Sequence, residues 1–345
     1  MINGMAVQQR IKWIDWAKVI AIWFVVFGHT PQSKGDWLVG YVCTFHMPFF
    51  FMLSGYLSKP SANRNKKLYK YWHSLILPYL LYNILFYPYW LVRYFIGHDG
   101  TLSTFDVVVK PLMGMLFLQI DTSVSANLNG VTWFLAALLA MHIIQDVCCM
   151  SCKADRWMLF TVLVLAILHG ILEYNHAVSN LFMSGLLRCF PFYIMGYFLR
   201  KESLLNKGFL STKGWNILLW TSLSVVLYIN IRLICDNLLV RILLSDAMAV
   251  VSCLAVVSIC RLLDSYTSAL LVNMSIGTIA IMGFHWMLIG SINFVVEQIL
   301  GIRDVTYSWY IAVLLSAAIC FAIYPIIVML EKYAPFLLGK AKSLS

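Results

Sequence analysis

Apolar runs long enough to cross a lipid bilayer recur along the whole chain, separated by short polar links, and this recurrence leaves few folds open. A spanning helix needs about 20 predominantly apolar residues. Such runs fall near residues 13–30, 38–57, 71–92, 131–150, 157–173, 180–199, 214–234, 238–260, 269–296 and 308–330. In lipid the backbone has no water to bond to, so each run must satisfy its own N–H and C=O groups by coiling into a helix. The sequence therefore predicts an all-α polytopic membrane bundle of about ten helices, a single integral-membrane domain over residues 1–345. Composition agrees, because 61% of the residues are hydrophobic and only 12% charged, whereas soluble domains are about half apolar and a quarter charged. The first run follows Arg10 and Lys12 and lacks a small-residue cleavage site, so it reads as a helix of the bundle rather than a removable leader.

Charge gives the bundle a direction. With ten spans and both termini cytoplasmic, the inner face receives 17 Lys and Arg residues, among them Arg10 and Lys12, the Lys59–Lys70 group, the group Arg200, Lys201, Lys207 and Lys213, and Lys332, Lys340 and Lys342. The outer face keeps Lys34, Arg93, Lys110 and Arg303, with Arg232 and Arg241 near helix ends. Counting 107–120 as an eleventh span would turn the 200–213 group outward, against the positive-inside rule. That run is also interrupted by Lys110-Pro111, so it is expected to lie on or dip into the membrane face within an outer loop over 93–130. The formal charge of +10 is then the signature of loops facing anionic lipid and not of a nucleic-acid partner. A nucleotide-binding loop is missing, which speaks against an ATP-driven pump. Cys149 and Cys152 alone cannot complete a four-ligand zinc site, and His73, His142, His169 and His176 have no ligand spacing, so no metal site is expected.

Ionisable residues inside a membrane are costly and mark function by default. The first span carries Asp15 and Lys18 at its start and His29 at its end. Eleven residues at about 100° each bring Lys18 and His29 within about 20° of one helix face, about 16 Å apart along the axis. Asp15, three residues from Lys18, can pair with it. Two readings fit: a polar stripe lining a path through the bundle, or an interfacial ion pair with a separate interfacial imidazole. In the second span, Pro48 sits in the first turn, where a missing N–H is tolerated, and sets His46 at a depth comparable with His29. Two imidazoles at one level suggest proton chemistry. Ser54 and Gly55 suit helix packing, and Gly28 leaves room beside His29 for a ligand or a neighbouring helix. Arg188 lies near mid-membrane and needs a partner or a water-filled cavity, and His285 is either a site residue or a hydrogen bonder within the bundle.

The run Asp15-x-x-Lys18, His29, then Phe45-His-Met-Pro-Phe-Phe-Phe-Met-Leu-Ser-Gly-Tyr-Leu57 resembles the membrane acyltransferase-3 family, and within it the fucose 4-O-acetylase-like and exopolysaccharide O-acetyltransferases. Trp133–Leu138, Arg188–Arg200 and Gly277–His285 fit the same pattern, so the likeness covers nearly the whole chain. It implies a ten-helix enzyme of the bacterial plasma membrane that moves an acyl group, usually acetyl, from cytoplasmic acyl-CoA to a hydroxyl of a cell-surface or lipid-linked saccharide. Acetyl-CoA would be a donor substrate, with no bound cofactor. His29 takes the position of the family's motif histidine and of the general base, with Asp15 and His46 beside it as further catalytic candidates. Lys18, Lys67, Lys70 and Arg188 are the candidates for holding the donor. The motif's basic residue is Arg in many members and Lys18 here, which replaces a bidentate fork with a point charge. Lys67 and Lys70 have the spacing of an Arg-x-x-Arg found in many members. A transporter or flippase of a lipid-linked saccharide remains the alternative, its buried charges forming a proton relay.

Overall fold

The apolar runs coil as their spacing requires, and the computed structural model describes them over residues 10–32, 36–59, 63–97, 103–117, 128–175, 181–211, 214–233, 237–301 and 304–340. Lys34, His176, Lys213, Arg303, Lys342 and residues 118–127 of the expected outer loop lie outside these. The helices are α1 (Lys12–His29), α2 (Trp37–Leu57), α3 (Arg64–Tyr71), α4 (Leu77–Gly97), α5 (Thr104–Phe117), α6 (Trp133–Cys149) and α7 (Ala154–Tyr174). They continue as α8 (Leu181–Lys201), α9 (Gly214–Leu233), α10 (Leu238–Leu262), α11 (Ala269–Ile276), α12 (Thr278–Leu300) and α13 (Trp309–Tyr333). Among the described residues nine helices are long and apolar enough to cross a membrane. The expected first span, α1, stands outside that count because its 18 residues include Lys12, Asp15 and Lys18. It is nevertheless central, packed against α2, α10, α11, α12 and α13.

Three elements depart from simple spans for identifiable reasons. The third begins earlier than expected, at Arg64: charged residues end a run of hydropathy without ending a helix. A π turn at Trp72–Ile76, closed by Leu77 N–H bonding to the Trp72 carbonyl, joins α3 to α4. Pro78 follows at once, lacking an N–H and crowding the carbonyl four residues back, and the wider turn accommodates it. The expected span 269–296 is two helices broken at Gly277, where a side chain would collide with Ile327 of α13. The described part of the run at 107–120 lies in the 14-residue α5 (Thr104–Phe117), about 21 Å long and shorter than a membrane span needs. It is tied to α4 by Tyr87 Oη to the Val108 carbonyl at 2.9 Å and by Trp90 Nε1 to the Val107 carbonyl at 3.1 Å.

The tightest contact in the bundle is between α2 and α8. A Cβ on Gly55 would lie 1.8 Å from the Tyr193 carbonyl oxygen, and one on Gly196 would lie 1.9 Å from that of Met52. Small residues thus let two backbones touch, the packing mode that works where lipid supplies no hydrophobic drive between helices. The end of the bundle rich in Lys and Arg is cross-linked throughout: Lys201 pairs with Asp155 at 2.5 Å, Arg200 donates to the Tyr56 carbonyl at 3.0 Å, and the Trp13 amide donates to Asp264 at 2.7 Å. At the opposite end, the Tyr307 amide donates to the Pro31 carbonyl at 3.0 Å and stitches the segment after α1 to the one before α13.

Candidate active site

A cavity of about 220 Å³ opens among α1, α2, α6, α8 and α12. On the α1 side its wall is Ile22, Val25 and His29, the face that continues down the helix to Lys18. On the α2 side it is His46, Met47 and Phe50, with Trp133 and Phe134 opposite. The two imidazoles expected at one depth therefore share one chamber, whose remaining surface is apolar apart from Thr278. Gly28 faces α2, where an added Cβ would stand 3.3 Å from Cys43 Sγ and 3.9 Å from His46 Cε1.

The hydrogen bonds fix which nitrogens are available. His285 is fully buried behind His29; its Nδ1 lies 2.9 Å from the Ile281 carbonyl and its Nε2 3.1 Å from His29 Nδ1. A carbonyl can only accept, so His285 Nδ1 carries a proton. With both rings neutral, His285 Nε2 must then accept from His29 Nδ1–H, and the lone pair of His29 is on Nε2. His46 is set the same way, its Nδ1 donating to the Val42 carbonyl at 3.1 Å and its Nε2 making no hydrogen bond among the described residues. Trp286 meets His29 edge to face at 5.1 Å between ring centroids and limits the ring's rotation.

The remaining sequence candidates scatter. Asp15 does not pair with Lys18. Its carboxylate takes a two-pronged contact from Arg10, at 2.6 and 2.7 Å, and the Ser275 hydroxyl at 2.6 Å. The guanidinium fork fits a carboxylate better than an ammonium can, and the break at Gly277 leaves Ser275 within reach. Asp15 is fourteen residues from His29 on one helix, about 21 Å, so it does not touch the imidazoles. Lys18 makes no hydrogen bond or ion pair among the described residues. Lys67 is engaged by Asp146 at 2.7 Å, while Lys70 is exposed beside it. Arg188 is not with these lysines; it donates to the Thr44 carbonyl at 3.2 Å and faces Asp246 on α10.

Several polar residues are placed here that the sequence reading did not single out. His142 Nδ1 meets Tyr193 Oη at 2.8 Å, Tyr193 donates to Gln145 at 2.6 Å, and Gln145 donates to Ser58 at 3.1 Å. Asn129, buried between Asn83 and α12, donates to the Gly283 carbonyl at 2.9 Å and steadies the segment that carries His285. Asp246 carried a signal that could have found it, an acidic residue inside an apolar run; the pairing of Tyr193 with His142 carried none.

Helices enclosing an imidazole-lined chamber, with Lys18 making no ion pair among the described residues down the same helix face, define a polytopic membrane bundle with a candidate acid–base site. A family model described as an acyltransferase domain, that of the acyltransferase-3 family, matches residues 11–325. The chain belongs to that family and is a multi-pass membrane acyltransferase. No curated protein and no solved structure matches it.

Proposed function

We propose that this acyltransferase moves an acetyl group from acetyl-CoA on the cytoplasmic side of the bacterial plasma membrane to a hydroxyl of a saccharide on the outer side. The observation that carries this reading is the His29 tautomer: a base with its lone pair on Nε2, held in a largely apolar chamber by a second imidazole. A sugar hydroxyl is a poor nucleophile, so its proton must leave as the C–O bond forms. His29 Nε2 takes that proton while the oxygen adds to the thioester carbonyl. The tetrahedral intermediate collapses with departure of the CoA sulfur, and the proton on His29 returns to it. His285 is a positioning residue. It accepts from His29 Nδ1–H throughout, and that hydrogen bond strengthens as the ring becomes cationic.

Lys18 supports the donor half of the scheme. It forms no ion pair among the described residues and sits nearer the basic end, on the α1 face that runs through Ile22 and Val25 to His29. A CoA phosphate held there leaves the pantetheine arm to follow that face into the chamber. Lys70 adds to the attraction at the mouth, and Lys67 does so less because Asp146 neutralises it. The family likeness supports acetyl as the group and a saccharide of the fucose-like or exopolysaccharide kind as the acceptor.

The test is transfer of labelled acetyl from acetyl-CoA to the cell-surface glycan by membranes holding matched amounts of each variant. His29→Gln keeps much of the ring's hydrogen bonding but takes up no proton, so transfer should fall about 10²- to 10⁴-fold. Turnover close to wild type in His29→Gln sinks the base assignment. Movement of the saccharide across the membrane without acylation would instead favour a transporter.

A further inference from the structure

Beyond the chamber, α2, α7, α8 and α10 gather a second set of ionisable groups. Arg188 Nε stands 3.5 Å from Asp246 Oδ1, and Arg188 Nη2 donates to the Thr44 carbonyl, two residues from His46. His169 of α7 lies within electrostatic reach of both charges and 3.7 Å from Glu173. On α8, Leu181, Gly185 and Arg188 follow at helical spacing on one face. Leu181 lines the chamber, and Gly185 abuts the ring of Trp133, which lines it too. The group therefore stands about two helical turns along α8 from Leu181, the α8 residue that lines the chamber.

Its hydrogen bonding is unfinished. Among the described residues Asp246 Oδ1 and His169 Nε2 are both buried and have no hydrogen-bond partner, although His169 is only 6% exposed. Arg188 carries five N–H donors, of which one is used by the described residues. A pair built only to brace helices looks different: Arg10 and Asp15 meet through two short bonds, with Ser275 completing the carboxylate. Charged groups at membrane depth face the protein interior or a water-filled space, and the side chains of Arg188 and Asp246 are 31% and 37% exposed. What is missing is a partner that both donates and accepts. A carboxylate needs donors, a guanidinium needs acceptors, and a hydroxyl offers each. A phosphate would satisfy Arg188 but be repelled by Asp246.

We infer that Arg188, Asp246 and His169 form a binding subsite for the vicinal hydroxyls of the acceptor, which seats a sugar ring with another of its hydroxyls turned toward His29 and His46. The inference rests on the saccharide reading of the preceding section. It moves Arg188 from the donor to the acceptor.

Reconstituted protein, acetyl-CoA and a glycolipid extract of the source cells test it through three readouts: transfer rate against extract concentration, acetyl-CoA binding, and thermal stabilisation by the extract. Asp246→Asn and Arg188→Gln should raise the half-saturating extract concentration at least tenfold and remove the stabilisation, with acetyl-CoA binding unchanged within twofold. His29→Gln should lose transfer and keep the stabilisation. Unaltered half-saturation and stabilisation in Asp246→Asn overturn the subsite, as does an equal loss of donor binding. The exchanged pair Arg188→Asp with Asp246→Arg guards against misfolding. Recovery of melting temperature without recovery of acceptor affinity supports a ligand site, and recovery of both means a brace. If the wild type transfers nothing, the saccharide reading fails, and stabilisation by the extract still decides the subsite.

Discussion

Two arginine–aspartate pairs in this molecule behave in opposite ways. Arg10 and Asp15, at the basic end, are joined at 2.6 and 2.7 Å, and Ser275 of α11 fills the remaining position on the carboxylate. Arg188 and Asp246, deeper in the bundle, approach only to 3.5 Å and leave Oδ1 without a hydrogen bond. The first pair joins the start of α1 to α11, and its carboxylate is engaged on both oxygens. The second is costly as it stands, since a buried polar group without a partner loses its hydration uncompensated. The lesson is to read charged pairs in a membrane by what remains unsatisfied rather than by their presence.

The comparison can be broken in several places. The largest effect is expected on stability at the closed pair. Asp15→Leu strips Arg10 of its partner, and the loss should be about 3 kcal/mol, the low end for breaking a buried pair because Arg10 can still reach water. Thermal unfolding in detergent measures it. If Asp246→Asn costs as much stability as Asp15→Leu, the two pairs are alike and the distinction collapses. Next comes His285→Leu, which removes the acceptor from His29 Nδ1–H. By analogy with groups that orient catalytic ligands, transfer should drop about 10- to 100-fold. The variant His285→Gln, which can still accept, should recover part of it, and equal losses in both would show that His285 merely fills space.

A smaller change is expected at Lys18, a charge of α1 that the closed pair does not take up. Lys18→Ala should weaken acetyl-CoA binding about tenfold, the scale of one charge-assisted hydrogen bond, and Lys18→Arg should hold or improve it. Equilibrium binding of labelled acetyl-CoA to folded protein is the measurement, and an unchanged affinity in Lys18→Ala moves the phosphate site elsewhere. Least of all, Ser275→Ala should cost about 1 kcal/mol of stability, because Arg10 still holds the carboxylate, with transfer by the folded fraction untouched. Loss of turnover there would mean that the closed pair takes part in the chemistry after all.

Much of this was legible in the sequence where a single helix sufficed to read it. Lys18, Ile22, Val25 and His29 share a face because the helical period says so, and that face is a wall of the chamber. The shared chamber of His46 and His29 was readable in the same way, as was the packing role of Gly55, but Pro48 was not: α2 starts at Trp37, so the proline stands in the helix interior rather than in the first turn. Partners on other helices were not. Ser275 reaches Asp15 across 260 positions of sequence, and nothing in the first span indicates that α11 rather than Lys18 will complete its carboxylate. The break at Gly277 hides for the same reason, since a glycine in an apolar run becomes a break only when α13 presses Ile327 against it. His142, isolated along the chain, acquires its partner Tyr193 only when α6 and α8 assemble.

The backbone contact between α2 and α8 has a consequence for how the chain is made. A membrane protein is threaded into the bilayer from its N-terminus, so α2 enters lipid while α8 is still unsynthesised, and α3 to α7 must follow before Gly196 can meet Gly55. Until then the groove at Gly55 is filled by acyl chains, which the arriving helix has to displace along its whole length. No side chain lies between the two backbones at that point to soften a misfit. Closure is therefore all or nothing, and it comes late. The His46 wall is in the membrane early, but the chamber stays open until α8 and then α12, which brings Thr278, Ile279 and Met282, have docked. An incomplete chain cut short before α8 thus holds His29 and His46 without an enclosed chamber around them.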